Sequence, residues 1–210
     1  MQIRVSVANL ATRIKLAGTD QPQFFGIINR KALEQGDRVA TGLGGGAQVT
    51  QIGKKFLEDN FGAHFPDNME ARFLVDKKHM KKVLAIFKSR KASMYEIDPT
   101  REIFEELSTK ELPIQSSPIL SCDEAALIKT RYIKTIIQPL GSTRRLARDI
   151  PGVPTVRVFN IFELIAEKEI FAKIIDSPII YTFTPKELRD MRSGKQVRVA
   201  DGTRMGENIF

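Results

Sequence analysis

Two apolar spacings alternate along these 210 residues, and no linker separates the segments that carry them. Ile3, Val5 and Val7 recur every second residue, the spacing that puts side chains on one face of a strand. Met80, Val83, Leu84 and Phe87 recur at i, i+3, i+4 and i+7, the stripe of a helix. Strand character returns over 23–31, 37–43, 70–78, 130–141, 155–164 and 178–183. Helical character falls between these runs, over 50–62, 77–91, 98–112, 167–177 and 184–194.

Several helix ends carry their own punctuation. Thr50 is the expected N-cap of the first helix, Gly62 its stop, and Ile52 and Phe56 share one of its faces. Asp98 with Pro99 reads as an N-cap followed by the first helical position. Thr184 with Glu187 forms a capping box, and Gly194 stops the last helix. There is no Pro/Gly/Ser-rich linker, internal repeat or low-complexity tract. The interspersed order predicts a single α/β domain over 1–210.

The charge balance is basic, +8 in formal terms, which favours an anionic partner. Cys122 is the only cysteine, so no internal disulfide forms and a reducing compartment, the cytoplasm, is expected. Its setting, "ILSCDEAAL", predicts a buried or half-buried thiol. His64 and His79 make no metal-ligand spacing with each other or with Cys122. No apolar run reaches membrane-spanning length, and the alternating, charged start reads as a strand rather than a signal peptide. The lysines of 77–91 occupy the face opposite the apolar stripe and read as solvated. A nucleic-acid groove there is the weaker alternative, since the chain has no Trp and three Tyr.

Against this basic background stands "REIFEEL", residues 101–107, with three carboxylates and an arginine. On a helix Glu102, Glu105 and Glu106 span an arc of about 100°, and Ile103, Phe104 and Leu107 point the other way. Such a helix is pinned by its apolar side while three like charges crowd together outside. A hard divalent cation, Mg²⁺ or Mn²⁺, relieves that repulsion and bridges to phosphate oxygens. Arg101 can orient one carboxylate by a charge-assisted hydrogen bond. The alternative is a solvated acidic face near a helix start, favoured by the macrodipole alone.

Two further features bear on phosphate. In "GLGGGAQ", Gly44, Gly45 and Gly46 follow a strand and would let backbone amides approach a ligand; a plain turn is the alternative. In "GSTRRLARD", Arg144, Arg145 and Arg148 could receive a polyphosphate, or line an exposed loop.

"REIFEEL" resembles the core of the Nudix box, a run of Arg-Glu-aliphatic-x-Glu-Glu, and Gly44 to Gly46 resemble the glycines ahead of that box. The stretch from Met69 to Leu107 also resembles the SMODS-associated Nudix domains, a branch in which a strand and helix are inserted before the box, here at about 47–97. The resemblance implies a Nudix-like α/β/α sandwich with a mixed β-sheet. It implies Mg²⁺-dependent hydrolysis of the pyrophosphate bond in a nucleoside diphosphate derivative. Glu105 and Glu106 match metal ligands, Glu102 a further ligand or the catalytic base, and Arg101 the orienting arginine. Ser108 and Thr109 stand where the box has a glycine and an aliphatic residue, and Ser93 stands where an upstream acid is usual.

These departures keep a second class open: a catalytically inactive module that senses a nucleotide in a bacterial signalling system. Nucleic-acid binding ranks third. The number of subunits stays open, a homodimer included.

Overall fold

A computed structural model describes residues 1–36, 38–66, 69–109, 117–138, 153–189 and 198–199. Within these, the strands are β1 (Gln2–Leu16), β2 (Gln23–Ile28), β3 (Val39–Thr41), β4 (Leu43–Gly46) and β5 (Arg72–Asp76). Four more follow: β6 (Lys129–Gln138), β7 (Thr155–Ala166), β8 (Ile180–Phe183) and β9 (Arg198–Val199). The helices are α1 (Arg30–Glu34), α2 (Gln51–Phe61), α3 (Met80–Lys88) and α4 (Thr100–Phe104). After them come α5 (Cys122–Ala126), α6 (Lys168–Ile175) and α7 (Pro185–Arg189). The strands pair in the order β6-β7-β1-β2-β3-β9, with β4 and β5 also on β1 and β8 on β2. β3 and β9 run parallel, whereas β1–β2, β1–β5, β2–β3 and β2–β8 are antiparallel, so this is an α/β fold on a mixed sheet. No helix among the described residues is long and apolar enough to cross a membrane.

The chain forms two compact units. One comprises 1–9, 45–98 and 134–160, and the other 10–44, 99–133 and 161–210. The segment 47–97 thus lies within the first unit.

In the first unit the alternation of β1 becomes a buried face. Ile3, Val5 and Val7 are fully buried, and the register Ile3↔Val75, Val5↔Phe73 adds the matching residues of β5. Met80, Val83 and Phe87 of α3 and Leu57 of α2 join the same core. A ring series runs through it, Phe65–Phe73–Phe87–Tyr95, with successive centroids 4.8, 5.9 and 4.9 Å apart. The Tyr95 hydroxyl donates to the Phe87 carbonyl at 2.7 Å, so the innermost ring keeps its polar end satisfied.

α2 starts and stops as its sequence predicts. The Thr50 hydroxyl accepts from Gly53 N at 2.9 Å, and Gly62 closes the helix in the left-handed region at φ 60°. Its expected apolar face is turned outward, however: Ile52 is 68% exposed and Phe56 40%, while Gly53 and Leu57 face inward. The reason is Gly53. A Cβ there would lie 1.8 Å from the Met94 carbonyl oxygen, so this side of the helix is pressed onto the 91–95 turn.

In the second unit β2 pairs with β8 through Phe24↔Phe183 and Ile27↔Ile180, and with β3 through Ile27↔Thr41. Ile161, Phe162 and Leu164 of β7 are buried, as are Ile170 and Ile174 of α6. The Thr184–Glu187 capping box forms as expected, with Thr184 N to Glu187 Oε2 at 2.7 Å and Glu187 N to Thr184 Oγ1 at 3.2 Å. Gly194 lies outside the described residues.

Other expectations are corrected. The strand of 23–31 ends at Ile28, because the Asn29 side chain accepts from Ala32 N and starts α1. The helix of 77–91 is regular only over Met80–Lys88, after a 3₁₀ turn at Lys77–His79. Cys122 is exposed, because it opens α5 just after its N-cap Ser121. That cap is a box: Glu124 N donates to Ser121 Oγ, and Ser121 N to Glu124 Oε2. Lys173 of α6 also reaches Glu124, and its hydrogen bond, the largest cause, holds the Glu124 carboxyl below its ordinary value.

Two outcomes follow from this packing. Gly53→Ala should destabilise the fold by about 2 kcal/mol or more, the scale of overpacking against rigid backbone, read from denaturant midpoints. The Glu124 carboxyl titrates lower folded than unfolded, so its contribution is full above the unfolded value and fades as pH falls through the folded one. Glu124→Gln should therefore flatten the acid limb of a melting-temperature profile below the usual glutamate range.

Candidate nucleotide site on the acidic helix

Just before the acidic helix, the backbone at Glu96 and Asp98 is held by a buried amide. Asn9 Nδ2 donates to the carbonyls of Glu96 and Asp98, both at 2.9 Å, and Asn9 Oδ1 accepts from Asn160 Nδ2 at 2.9 Å. Asn160 Oδ1 in turn accepts from the Thr135 hydroxyl at 2.8 Å. Asn9 and Asn160 are almost fully buried, so the satisfied chain of amides specifies one arrangement.

α4 begins at Thr100 with Pro99 in the cap position and no side-chain cap. The N-cap position falls on Pro99, one residue after the expected Asp98. Ile103 and Leu107 are buried, which seats the helix by its apolar side as its spacing predicts. Over Glu105–Thr109 the helix widens into a π turn. Two hydroxyls cover carbonyls of the preceding turn: Ser108 Oγ donates to Phe104 O at 2.6 Å, and Thr109 Oγ1 to Glu105 O at 2.7 Å. The two residues that depart from the Nudix box pattern are thus the ones that serve the wider turn. π turns of this kind occur often at functional sites.

The four charged side chains do not scatter into solvent. Arg101 bridges two of the acids, with Nη2 2.8 Å from Glu102 Oε1 and Nη1 3.1 Å from Glu105 Oε1. The Glu102 side chain is only 15% exposed. The third acid turns to the glycines: Gly44 N donates to Glu106 Oε2 at 2.9 Å. Gly44 sits at φ 130°, a backbone region that residues with a Cβ rarely adopt. The glycines are nevertheless not a turn, as their sequence suggested. They belong to β4, an extended strand on β1, because Gly44 absorbs the irregular φ without breaking the pairing.

Of the other residues singled out from sequence, Gly45 and Gly46 belong to the first unit, where the Arg72 guanidinium lies beside Gly46. Arg144, Arg145 and Arg148 lie outside the described residues. Sequence reasoning passed over Glu163, which is fully buried on β7 with Arg131 Nη2 2.7 Å from its Oε1. Neither Glu163 oxygen has a hydrogen-bond partner among the described residues, so the contact is an ion pair. Its signal was an acid in the apolar run "VFNIFELIA".

Among the described residues no three His, Cys, Asp or Glu side chains are gathered into a metal cage. The helix does carry three carboxylates, hard-oxygen donors of the kind that Mg²⁺ or Mn²⁺ takes, against one guanidinium. A cation there would share Glu102 and Glu105 with Arg101, and Glu106 with Gly44.

The model of the SMODS-associated NUDIX domain family matches residues 2–200, and the chain belongs to that family. Nudix domains in general bind nucleotide derivatives and use divalent metals. No curated protein and no solved structure matches the chain.

Removing the Glu106 carboxylate should be felt at Gly44. Glu106→Ala leaves the Gly44 amide without that acceptor and should cost about 1–3 kcal/mol, whereas Glu106→Gln keeps an acceptor oxygen and should cost less than half of that. Urea denaturation of the two variants beside the parent protein measures the difference.

Proposed function

We propose that this Nudix-family chain is an Mg²⁺- or Mn²⁺-dependent pyrophosphohydrolase acting on a nucleoside diphosphate derivative. The supporting observation is that Glu106 and Gly44, distant in sequence, meet in one hydrogen bond while Arg101 organises Glu102 and Glu105 beside it. Glu102, Glu105 and Glu106 would hold the cation, which neutralises the diphosphate and makes a bound water acidic when present.

The remaining work falls to the chain's own groups. Arg101 sets the direction of Glu102 and Glu105, so that two carboxylates are aligned in advance instead of repelling each other apart. The Gly44 amide fixes one oxygen of Glu106. Glu102, the least exposed of the acids whose pairing with Arg101 is defined, is suited to take the proton of the attacking water. The backbone of Gly44, Gly45 and Gly46 and the side chains of Arg144 and Arg145 would bind the phosphates of the substrate. A cytoplasmic setting suits such a substrate and the lone thiol.

A second reading is a nucleotide sensor without turnover. It is supported by the engagement of Glu102, Glu105 and Glu106 with Arg101 and Gly44, and by Ser108 and Thr109 in the π turn. One set of measurements separates the two. The chain is incubated with Mg²⁺ and a panel of nucleoside diphosphate derivatives, beside the Glu105→Gln, Glu106→Gln double variant. Hydrolysis that falls about 100-fold or more in the variant supports the enzyme. Calorimetric binding of a nucleotide with no product supports the sensor, and neither result removes both.

A further inference from the structure

The outward side of α2 carries apolar side chains that the core of the first unit does not take. Gly53, pressed onto the Met94 carbonyl, and buried Leu57 fix which side of this helix points inward. The other side presents Ile52, Lys55, Phe56 and Asp59, which stand at i, i+3, i+4 and i+7 and make one stripe. Ile52 and Phe56 are exposed, and the side chains of Lys55 and Asp59 are 80% and 60% exposed. Of the four large apolar residues exposed among those described, two are these neighbours, one helical turn apart. Single exposed apolar residues are ordinary on a protein surface, but an adjacent pair framed by charges is the pattern of a contact.

Phe56 is also held in place. Its ring meets Phe61 edge-on with centroids 5.8 Å apart, and Phe61 lies against His79 at 5.6 Å. A ring braced in this way has little freedom left to lose when a partner covers it, which suits an interface anchor. The charges then select the partner. Lys55 stands one turn before Asp59, with Nζ 3.7 Å from Oδ2. Read in the opposite direction the stripe runs acid before base, so it is complementary to a second copy of itself laid antiparallel. Phosphate surfaces suit it less, because Asp59 within the stripe and exposed Glu58 beside it repel them.

We propose that α2 is the contact through which two copies of this chain associate as a two-fold dimer. An axis beside Phe56 sets the two Phe56 rings together, with the Ile52 side chains flanking them. The same axis brings the Lys55 of each copy to the Asp59 of the other, so the ion pairs fix the antiparallel direction. The helix has 11 residues, and a pair of such helices alone buries less than the roughly 1,600 Å² of a standard interface. The dimer is therefore reversible and forms at micromolar concentrations. This contact does not rest on the reading of the acidic helix.

The test is sedimentation of the full chain from about 1 to about 300 µM, a range that brackets micromolar dissociation constants. The parent chain is expected to pass from monomer to dimer. Replacing both apolar residues, Ile52→Ser with Phe56→Ser, should weaken the dimer about tenfold or more, with the circular dichroism spectrum unchanged because both are exposed. Lys55→Glu alone, and Asp59→Lys alone, should each weaken it about threefold or more by setting like charges against each other. Lys55→Glu combined with Asp59→Lys should restore it, a rescue that keeps the test decisive should the serine variant misfold. A chain that stays monomeric throughout, or a dimer that none of these substitutions changes, overturns the proposal. In a monomeric chain, binding of single-stranded RNA or of anionic vesicles that the serine variant loses would give this face to that partner instead.

Discussion

One hydrogen bond organises the acidic helix: the Gly44 amide on a Glu106 oxygen at 2.9 Å. It joins a strand to a helix that the chain reaches only much later. It is available because Gly44 takes a φ that other residues avoid. The helix meets it from a fixed position, since Ile103 and Leu107 are buried beneath it. Arg101 completes the arrangement by spanning Glu102 and Glu105. The value of this half-buried bridge lies in orientation. Three acids on one helix would otherwise be splayed by their own repulsion.

The π turn bears on the same point. Widening a helix at Glu105–Thr109 leaves carbonyls poorly matched to their usual donors, and the hydroxyls of Ser108 and Thr109 meet that need at Phe104 and Glu105. Viewed as text, those two residues are lapses from a box pattern. Viewed as chemistry, they are the groups that make the local backbone affordable. The physical content of a motif is its backbone geometry, and different side chains can serve different geometries.

Legibility followed range. Period-2 and period-3.6 runs located nearly every long strand and helix, and Thr50, Gly62, Thr184 and Glu187 act where their residue types predict. The misses lie where a distant group outweighed a local preference. Ile52 and Phe56 share a face of α2 but point outward, because Gly53 is held against the Met94 carbonyl. The N-cap position is Pro99 and not Asp98, whose carbonyl is bound by Asn9. Gly44 to Gly46 carry the composition of a turn but are extended, because β1 offers a strand to pair with. Glu163 is an acid in an apolar run, and its partner Arg131 comes from a different strand.

The sequence by itself determined the α/β class, the sites of most elements and the acids gathered on one side of the helix from Thr100. These depend on spacing and residue type, which act within a few residues. Only the tertiary structure decided that Glu106 meets Gly44, that Arg101 takes two carboxylates, and that Asn9 and Asn160 join in one buried chain of amides. Each of those depends on strand register and on contacts between residues far apart in the chain. Register has no signature in local composition, because it is set by which faces find an apolar partner.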